Sequence, residues 1–294
     1  MQKSLLLLLL LVPSLGNAEP LRVFASVVPI QTFVQRIGGE HVDARAMVRP
    51  GFDPHTYDPT PQQISALAGT ALYVRAGLPF EKAWMERVRS ANPQMQVLDA
   101  REGISLREIE AHGHDEDDGH DEHDSHESVD DHEQDPHVWT SPPLVKHMAG
   151  KIRHKLIQLA PDHAANFTRN HDALLAELDA LDAELNRLLD PLVNRKFMVF
   201  HPAWGYFADH YRLIQVPIEH EGKSPGARTL AALIEQAKQE KIKVVFVQPQ
   251  FDKRQARQVA QAIGGIVVPV DPLAADYADN LRRVGQQFSQ ALQH

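Results

Sequence analysis

The chain has 294 residues, of which 43% are hydrophobic, and this is enough for about two ordinary domains, each with its own core. Its formal net charge is −9, but the segment from His112 to Glu133 carries −11 by itself, which leaves +2 on the rest. A nearly neutral body excludes the basic surface that nucleic-acid binding requires. The absence of cysteine excludes disulfides, thiolate metal sites and a cysteine nucleophile.

The first eighteen residues predict an export signal. Lys3 supplies a positive start, Leu5 to Val12 form an apolar run, and Gly16-Asn17-Ala18 provide a small-residue cleavage site. The apolar run is shorter than the ~20 residues of a stable membrane-spanning helix, although an uncleaved anchor is the alternative. We therefore predict a signal peptide at 1–18. Because no cysteine can carry a lipid, we expect a mature protein that diffuses freely in a bacterial periplasm.

Short apolar strands alternate with amphipathic helical segments after the signal peptide. Strands are predicted at 21–28, 44–48, 71–77 and 95–99, and helices at 30–37, 61–68 and 81–90. This alternation predicts a parallel sheet with helices on both faces. We assign residues 19–160 to this N-terminal α/β lobe.

A histidine-rich and acidic tract, residues 112–133, interrupts the lobe. Eleven carboxylates accompany six histidines: His112, His114, His120, His123, His126 and His132. Imidazole and carboxylate are ligands for divalent transition metals, so the tract predicts a low-affinity metal collector. Its polarity predicts a surface loop. The alternatives are an acidic linker with incidental histidines and a solvated loop in which metal binding has no consequence.

A long helix is predicted to link this lobe to a second one. A helical stretch runs from Pro142 to about Leu159, and a longer pattern covers residues 161–192. Six leucines repeat along one face of the longer helix: Leu174, Leu178, Leu181, Leu185, Leu188 and Leu192. The stripe spans fewer than three heptads, which favours packing against the protein's own body over a coiled-coil dimer, and so favours a monomer.

Residues 193–294 repeat the alternation of strands and helices. Strands are predicted at 196–200, 213–218, 243–248 and 265–270, and helices at 206–211, 227–241, 253–263 and 277–292. The fold class is therefore α/β, with two similar (β/α)4-type lobes that contain parallel sheets and are joined by a long rigid helix. Ligands of such sheets bind beyond the carboxyl ends of the strands, where two facing lobes form a cleft.

Four candidate metal ligands fall at or just after predicted strand ends: His55, His137, His201 and Asp271. His55 and His137 each follow the dipeptide Asp-Pro, and an aromatic residue stands two positions later. Proline restricts the backbone before each imidazole, which lowers the entropic cost of holding a ligand in place. The set predicts one metal site to which both lobes contribute.

These motifs resemble the zinc- and manganese-binding solute receptors of bacterial ABC importers, often called cluster A-I binding proteins. The resemblance covers the mature chain and rests on GFDPHTYDPTP, DPHVWTSP, FHPAWGYFA and VDPLAADYADNL, in that order, with a His/Asp/Glu-rich insertion before the second. It implies two α/β lobes bridged by a long helix, one buried metal between them, and delivery to an inner-membrane permease. It implies His55, His137, His201 and Asp271 as ligands.

Two departures from the family pattern bear on the metal. Some zinc receptors have a glutamate beside the first histidine, where this chain has Pro54, so we expect Asp271 to supply the fourth ligand. Manganese receptors usually place a glutamate where this chain has His201. Three imidazoles and one carboxylate suit tetrahedral Zn²⁺ better than Mn²⁺, although ligand type excludes neither copper nor nickel. We expect affinity to fall as the pH falls through about 6.5.

Two other classes of protein remain as alternatives. Three histidines with an open fourth position could activate water in a zinc hydrolase, but the chain has no HExxH, and Glu219 and Glu221 are the only nearby candidate bases. We expect no enzyme. A periplasmic zinc buffer or metallochaperone would need the same tight site. A separate metallochaperone could also be a partner that loads the receptor.

Overall fold

The computed structural model describes residues 19–109, 134–219 and 225–293. The predicted signal peptide and the six histidines of the 112–133 tract lie outside the described residues, as does Glu221. Within the described ranges, no helix combines the length and the apolar character needed to cross a bilayer.

The first sheet contains four parallel strands, as the alternating pattern predicts. They are β1 (Leu21–Ala25), β2 (Val42–Ala46), β3 (Leu72–Arg75) and β4 (Gln96–Asp99), in the spatial order β2-β1-β3-β4. The helices between them are α1 (Val28–Gly38), α2 (Pro61–Ala66) and α3 (Pro79–Ala91). Proline occupies the first turn of each of these helices, where its missing N–H has no intrahelical partner to lose.

Two helices connect the sheets: α4 (Pro142–Leu159) and α5 (Ala164–Leu189). The predicted bounds of α5 are too wide by three residues at each end, because Pro161–His163 form a separate single turn of 3₁₀ helix and the α-helix ends at Leu189. The apolar stripe is buried, as predicted, against α1 and α4 of the first lobe and against the last helix of the second lobe, Tyr277–Leu292. Leu189 is fully buried, whereas Leu188 is only partly buried.

The second sheet repeats the first. Its strands are β5 (Lys196–Val199), β6 (Ile214–Pro217), β7 (Val244–Val247) and β8 (Ile266–Pro269), all parallel and in the order β6-β5-β7-β8. The remaining helices are α6 (Gly205–His210), α7 (Ala227–Gln239), α8 (Lys253–Ala262) and α9 (Tyr277–Leu292). Each strand order is the other shifted by four, which confirms two similar α/β lobes.

The hydrophobic cores differ from the expectation of one for each domain. A single continuous core includes the first sheet, α4, the leucines of α5 and one face of the second sheet, where Phe197, Trp204 and Phe288 pack. A smaller core lies on the other face of the second sheet, under α7 and α8. The leucine stripe is the cause, since its side chains contact apolar groups of both lobes. The lobes are thus packed together through α5.

Candidate metal site

His55 lies in the loop between β2 and α2, and side-chain hydrogen bonds fix this loop. The Asp53 Oδ1 atom accepts a hydrogen bond from the backbone N–H of His55 at 2.9 Å. Two residues later, the buried Tyr57 donates its hydroxyl to Gln63 Oε1 at 3.0 Å. Gln63 in turn donates to the Met47 carbonyl at 2.6 Å, so it ties both ends of the loop together. These hydrogen bonds fix the conformation of the loop that carries the His55 imidazole.

His137 repeats this local geometry and adds one contact. Asp135 Oδ1 accepts from the backbone N–H of His137 at 2.9 Å, which is the same Asx turn that Asp53 forms with His55. The same oxygen lies 2.7 Å from the ring Nδ1 of His137. Both residues are buried, with 2% and 1% of their surface exposed. The carboxylate therefore fixes the ring as well as the backbone.

His201 follows β5, and its backbone is bracketed by Gln248 from the end of β7. The Gln248 side chain accepts from the His201 N–H at 3.3 Å and donates to the His201 carbonyl at 2.6 Å. On the ring, Nδ1 lies 2.5 Å from Oε1 of the buried Glu219, and Phe251 stacks on one face. Hydrogen bonds therefore fix both the backbone and the imidazole of His201.

The three imidazoles converge. One ring nitrogen from each of His55, His137 and His201 lies within 4.8 Å of those of the other two. The Nε2 atoms of His137 and His201 are 3.3 Å apart, and the Nε2 of His55 is buried without a hydrogen-bond partner. Tetrahedral zinc with Zn–N bonds of 2.0–2.1 Å places its nitrogen ligands about 3.3 Å apart. The spacing of the described pair matches a shared zinc ion.

The carboxylates also select the tautomers that a cation needs. A carboxylate oxygen beside Nδ1 accepts a hydrogen bond, so Asp135 and Glu219 favour the Nδ1–H tautomer of His137 and His201. Each Nε2 then presents a lone pair to the same point. Two buried lone pairs 3.3 Å apart repel each other unless a proton or a metal ion lies between them. The two facing lone pairs are therefore best satisfied by a cation that lies between them.

Burial lowers the pKa of two of the three imidazoles. It is the largest cause that lowers the pKa of His55 well below 6.5, and the nearby His201 and His137 lower it further. Burial likewise lowers the pKa of His201, to which His137 adds, while the charge of Asp135 acts in the opposite direction. At neutral pH both rings are ready to bind a metal without first releasing a proton.

Asp271, the fourth predicted ligand, follows β8 at the same edge of the second sheet. Its Oδ1 accepts hydrogen bonds from Gln250 Nε2 and from the backbone N–H of Leu273, each at 2.9 Å. Among the described residues, the cluster within 4.8 Å contains only the three histidines. Asp271 as a ligand therefore stays a prediction.

Asp135 and Glu219 carry roles that the sequence analysis did not assign to them. Asp135 was noted only as part of the Asp-Pro-His motif, and Glu219 only as a candidate base in a loop at the cleft rim. The sequence does contain a signal for the role of Asp135, because an aspartate two residues before a histidine can accept hydrogen bonds from both the backbone N–H and the ring N–H of that histidine. No local pattern links Glu219 to His201, because they are 18 residues apart and meet only through the pairing of β5 with β6.

Comparison with known proteins shows which family the chain belongs to. The sequence pattern of the family described as zinc-uptake complex component A, periplasmic, matches residues 23–291. The chain belongs to this family. It includes solute receptors rather than enzymes, and the resemblance drawn from the four motifs is confirmed.

Relatives support the assignment over most of their length. The high-affinity zinc uptake system protein ZnuA of Paracoccus denitrificans is 30% identical over 306 aligned positions, which cover 94% of this chain and 93% of that protein. The corresponding protein of Bacillus subtilis is 28% identical and covers 85% of this chain and 77% of its own length. A crystal structure of a ZnuA deletion mutant with zinc bound is 39% identical, covers 94% of this chain and 99% of that chain, and has a TM-score of 0.84.

Proposed function

We propose that the protein is a periplasmic receptor that captures one Zn²⁺ between its lobes and delivers it to an ABC-type importer in the inner membrane. The observation that carries this proposal is the convergence of ring nitrogens from the partly buried His55 and the buried His137 and His201, the last two of which are backed by carboxylates. Neutral imidazole nitrogens at this spacing suit zinc better than manganese, which prefers oxygen ligands. Relatives named for zinc uptake support the same cargo.

A carboxylate oxygen of Asp271 would complete a tetrahedral site. Four protein ligands leave no position for the labile water that a zinc hydrolase activates, so the proposed site stores an ion and performs no chemistry. This distinguishes a receptor from an enzyme with the same three histidines. Copper and nickel, which ligand type alone admits, are tested with zinc in the same experiment.

Elemental analysis and zinc titration of three purified proteins test the proposal. The wild type should bind one zinc tightly, His201→Ala should lose that tight site, and His154→Ala, an exposed histidine on α4, should behave as the wild type. Tight binding of one zinc by His201→Ala would contradict the site. Preferential retention of nickel or copper would contradict the cargo.

Zinc uptake separates a transport receptor from a periplasmic zinc buffer or metallochaperone. A strain that lacks the protein and has no second receptor should fail to take up zinc at low external zinc, and the wild-type gene should restore uptake where the His201→Ala gene does not. Normal uptake in the deletion strain would favour the buffer.

The tract at 112–133 is proposed as a low-affinity zinc collector that raises the local zinc concentration near the cleft. A chain without residues 112–133 should keep one tight zinc and lose the weaker ones, because none of the four proposed tight ligands belongs to the tract. Loss of the tight zinc would make the tract the main site and contradict the proposal.

A further inference from the structure

A group of polar residues joins the two lobes beside His137. Arg107 and Asp135 come from the first lobe, and Tyr206 and Asp209 come from α6 of the second. The Tyr206 hydroxyl accepts from the backbone N–H of Arg107 at 3.1 Å and donates to the Asp135 carbonyl at 2.9 Å. One buried hydroxyl of the second lobe thus bonds two backbone groups of the first.

The Arg107 side chain also connects the two lobes. Its guanidinium lies 3.5 Å from Asp135 Oδ2 through Nη1 and 3.0 Å from Asp209 Oδ2 through Nε. The backbone N–H of Asp135 also donates to the Arg107 carbonyl at 2.9 Å. Asp135 is therefore held on its backbone and its carboxylate by Arg107 and on its carbonyl by Tyr206.

Gly205, the first residue of α6, shows how closely the lobes fit at this point. A Cβ atom added there would lie 1.4 Å from Arg107 Nη1 and 2.9 Å from Asp135 Oδ2. Only glycine leaves room for the guanidinium between the helix and the carboxylate. The contact is thus a specific fit rather than a loose surface ion pair.

These contacts reach the metal site through Asp135, whose Oδ1 holds the ring of His137. A buried hydrogen bond is costly to break, because the groups that it joins would be left unsatisfied. Displacement of α6 from the first lobe would therefore disturb Asp135 and with it the imidazole. On the other side of His137, Trp139 donates to the Pro272 carbonyl of the second lobe at 2.8 Å.

We propose that Arg107 and Tyr206 are positioning residues that make the orientation of His137 depend on contact between the lobes, and that they slow the release of captured zinc. This inference rests on the proposed zinc-receptor function. Neither residue touches the ion; both act through Asp135. Separation of the lobes would disturb His137, because Asp135, which holds its ring, is bonded to a residue of each lobe.

The test compares Tyr206→Phe with Tyr211→Phe. Both changes remove one hydroxyl from a largely buried tyrosine at α6 or its end, but the Tyr211 hydroxyl donates to Asp182 of the long helix, away from the histidines. Zinc dissociation into excess chelator is followed by stopped flow. We expect Tyr206→Phe to release zinc about 10-fold faster than the wild type, at the lower end of the effect of partners that orient metal ligands. Tyr211→Phe should release zinc at the wild-type rate.

A spectroscopic readout separates positioning from general loosening. In the zinc-free protein, the Nδ1–H protons of His137 and His201 should give separate NMR signals. Tyr206→Phe should speed solvent exchange of the His137 proton and leave that of His201 unchanged. Arg107→Lys and Gly205→Ala should act in the same direction, because each disturbs the guanidinium contact. Equal dissociation rates for Tyr206→Phe and Tyr211→Phe would overturn the inference while leaving the receptor function intact. A wild type without a tight zinc would instead overturn the proposed function itself.

Discussion

Replacement of Glu219 by glutamine isolates the contribution of one buried charge to metal binding. Glutamine has the same shape and can still accept from His201 Nδ1 through its carbonyl oxygen, so the hydrogen bond stays and only the negative charge is removed. The group is 2% exposed, so water cannot replace the lost charge. We therefore expect a weaker hold on the zinc-bound form of His201.

The magnitude follows from the strength of the two kinds of hydrogen bond. A bond to an ionised acceptor contributes about 1.5–3 kcal/mol and a neutral one about 0.5–1.5 kcal/mol, so the charge is worth about 1–1.5 kcal/mol. That energy corresponds to roughly a tenfold loss of affinity. The same size is typical when a group behind a metal-bound histidine is changed.

Competition against a chelator of known zinc affinity at neutral pH measures this loss. Glu240→Gln is the matched control, since Glu240 accepts from Lys196 Nζ at 2.6 Å in the same lobe without contacting the histidines. Equal zinc affinity for the two variants would refute the reasoning, because the Glu219 carboxylate would then have no part in holding His201.

Three further predictions concern the fourth ligand, the pH dependence and the long helix. Asp271→Asn should still bind one zinc, but more weakly and with altered X-ray absorption of the metal; unchanged affinity would remove Asp271 from the site. Because burial lowers the pKa of His55 and His201 below 6.5, the unfolded chain takes up more protons than the folded one as the pH falls below 6.5, so the zinc-free melting temperature should fall there. Zinc affinity should begin to decline only at a lower pH than the 6.5 expected for ordinary imidazoles, because the folded protein keeps these two rings neutral until the pH approaches their lowered pKa values. A His55→Gln variant whose zinc-free melting temperature has the same pH slope as that of the wild type would contradict this reasoning. Leu185→Ala should lower the free energy of unfolding in urea by about 2–5 kcal/mol, because the Leu185 side chain is fully buried against Gly285. Leu188→Ala should lower it by less, because Leu188 is only partly buried. An equal loss for the two variants would be inconsistent with this packing.

The alternation of apolar runs was enough to predict every strand of the described sheets and its order of appearance, because each strand is a short run rich in apolar residues that turns or loops separate from the neighbouring elements. The ends of α5 were harder to predict. Pro161 is compatible with the first turn of an α-helix, and only the conformation of Ala160 to His163 separates it into a turn of its own. The shared core was also missed, since a stripe of leucines indicates which face is buried but not that two lobes cover it.

The site shows the same division between local and distant information. His55, His137 and His201 could be found because each stands in a short motif; in the structure, the motifs of His55 and His201 follow β2 and β5, whereas His137 does not follow a strand and lies just before the 3₁₀ turn Val138–Thr140. Their meeting was inferred from the topology of two facing sheets. The link between Glu219 and His201 and the crossing of Arg107 to α6 depend on side chains that are distant in sequence, so no spacing rule reaches them. Membership of the family accounts for the architecture, whereas these contacts become visible only in the three-dimensional structure.

One hydrophobic core includes the leucines of α5 and residues of both sheets, so the two lobes hold the metal-binding histidines in a fixed arrangement. The lobes cannot part as independent bodies without exposing the leucines that join them, so the imidazoles are in place before an ion arrives. Loading should then require little ordering of the protein. Release of a captured ion should have to work against the same packing, because the leucines that join the lobes would be exposed as the lobes part.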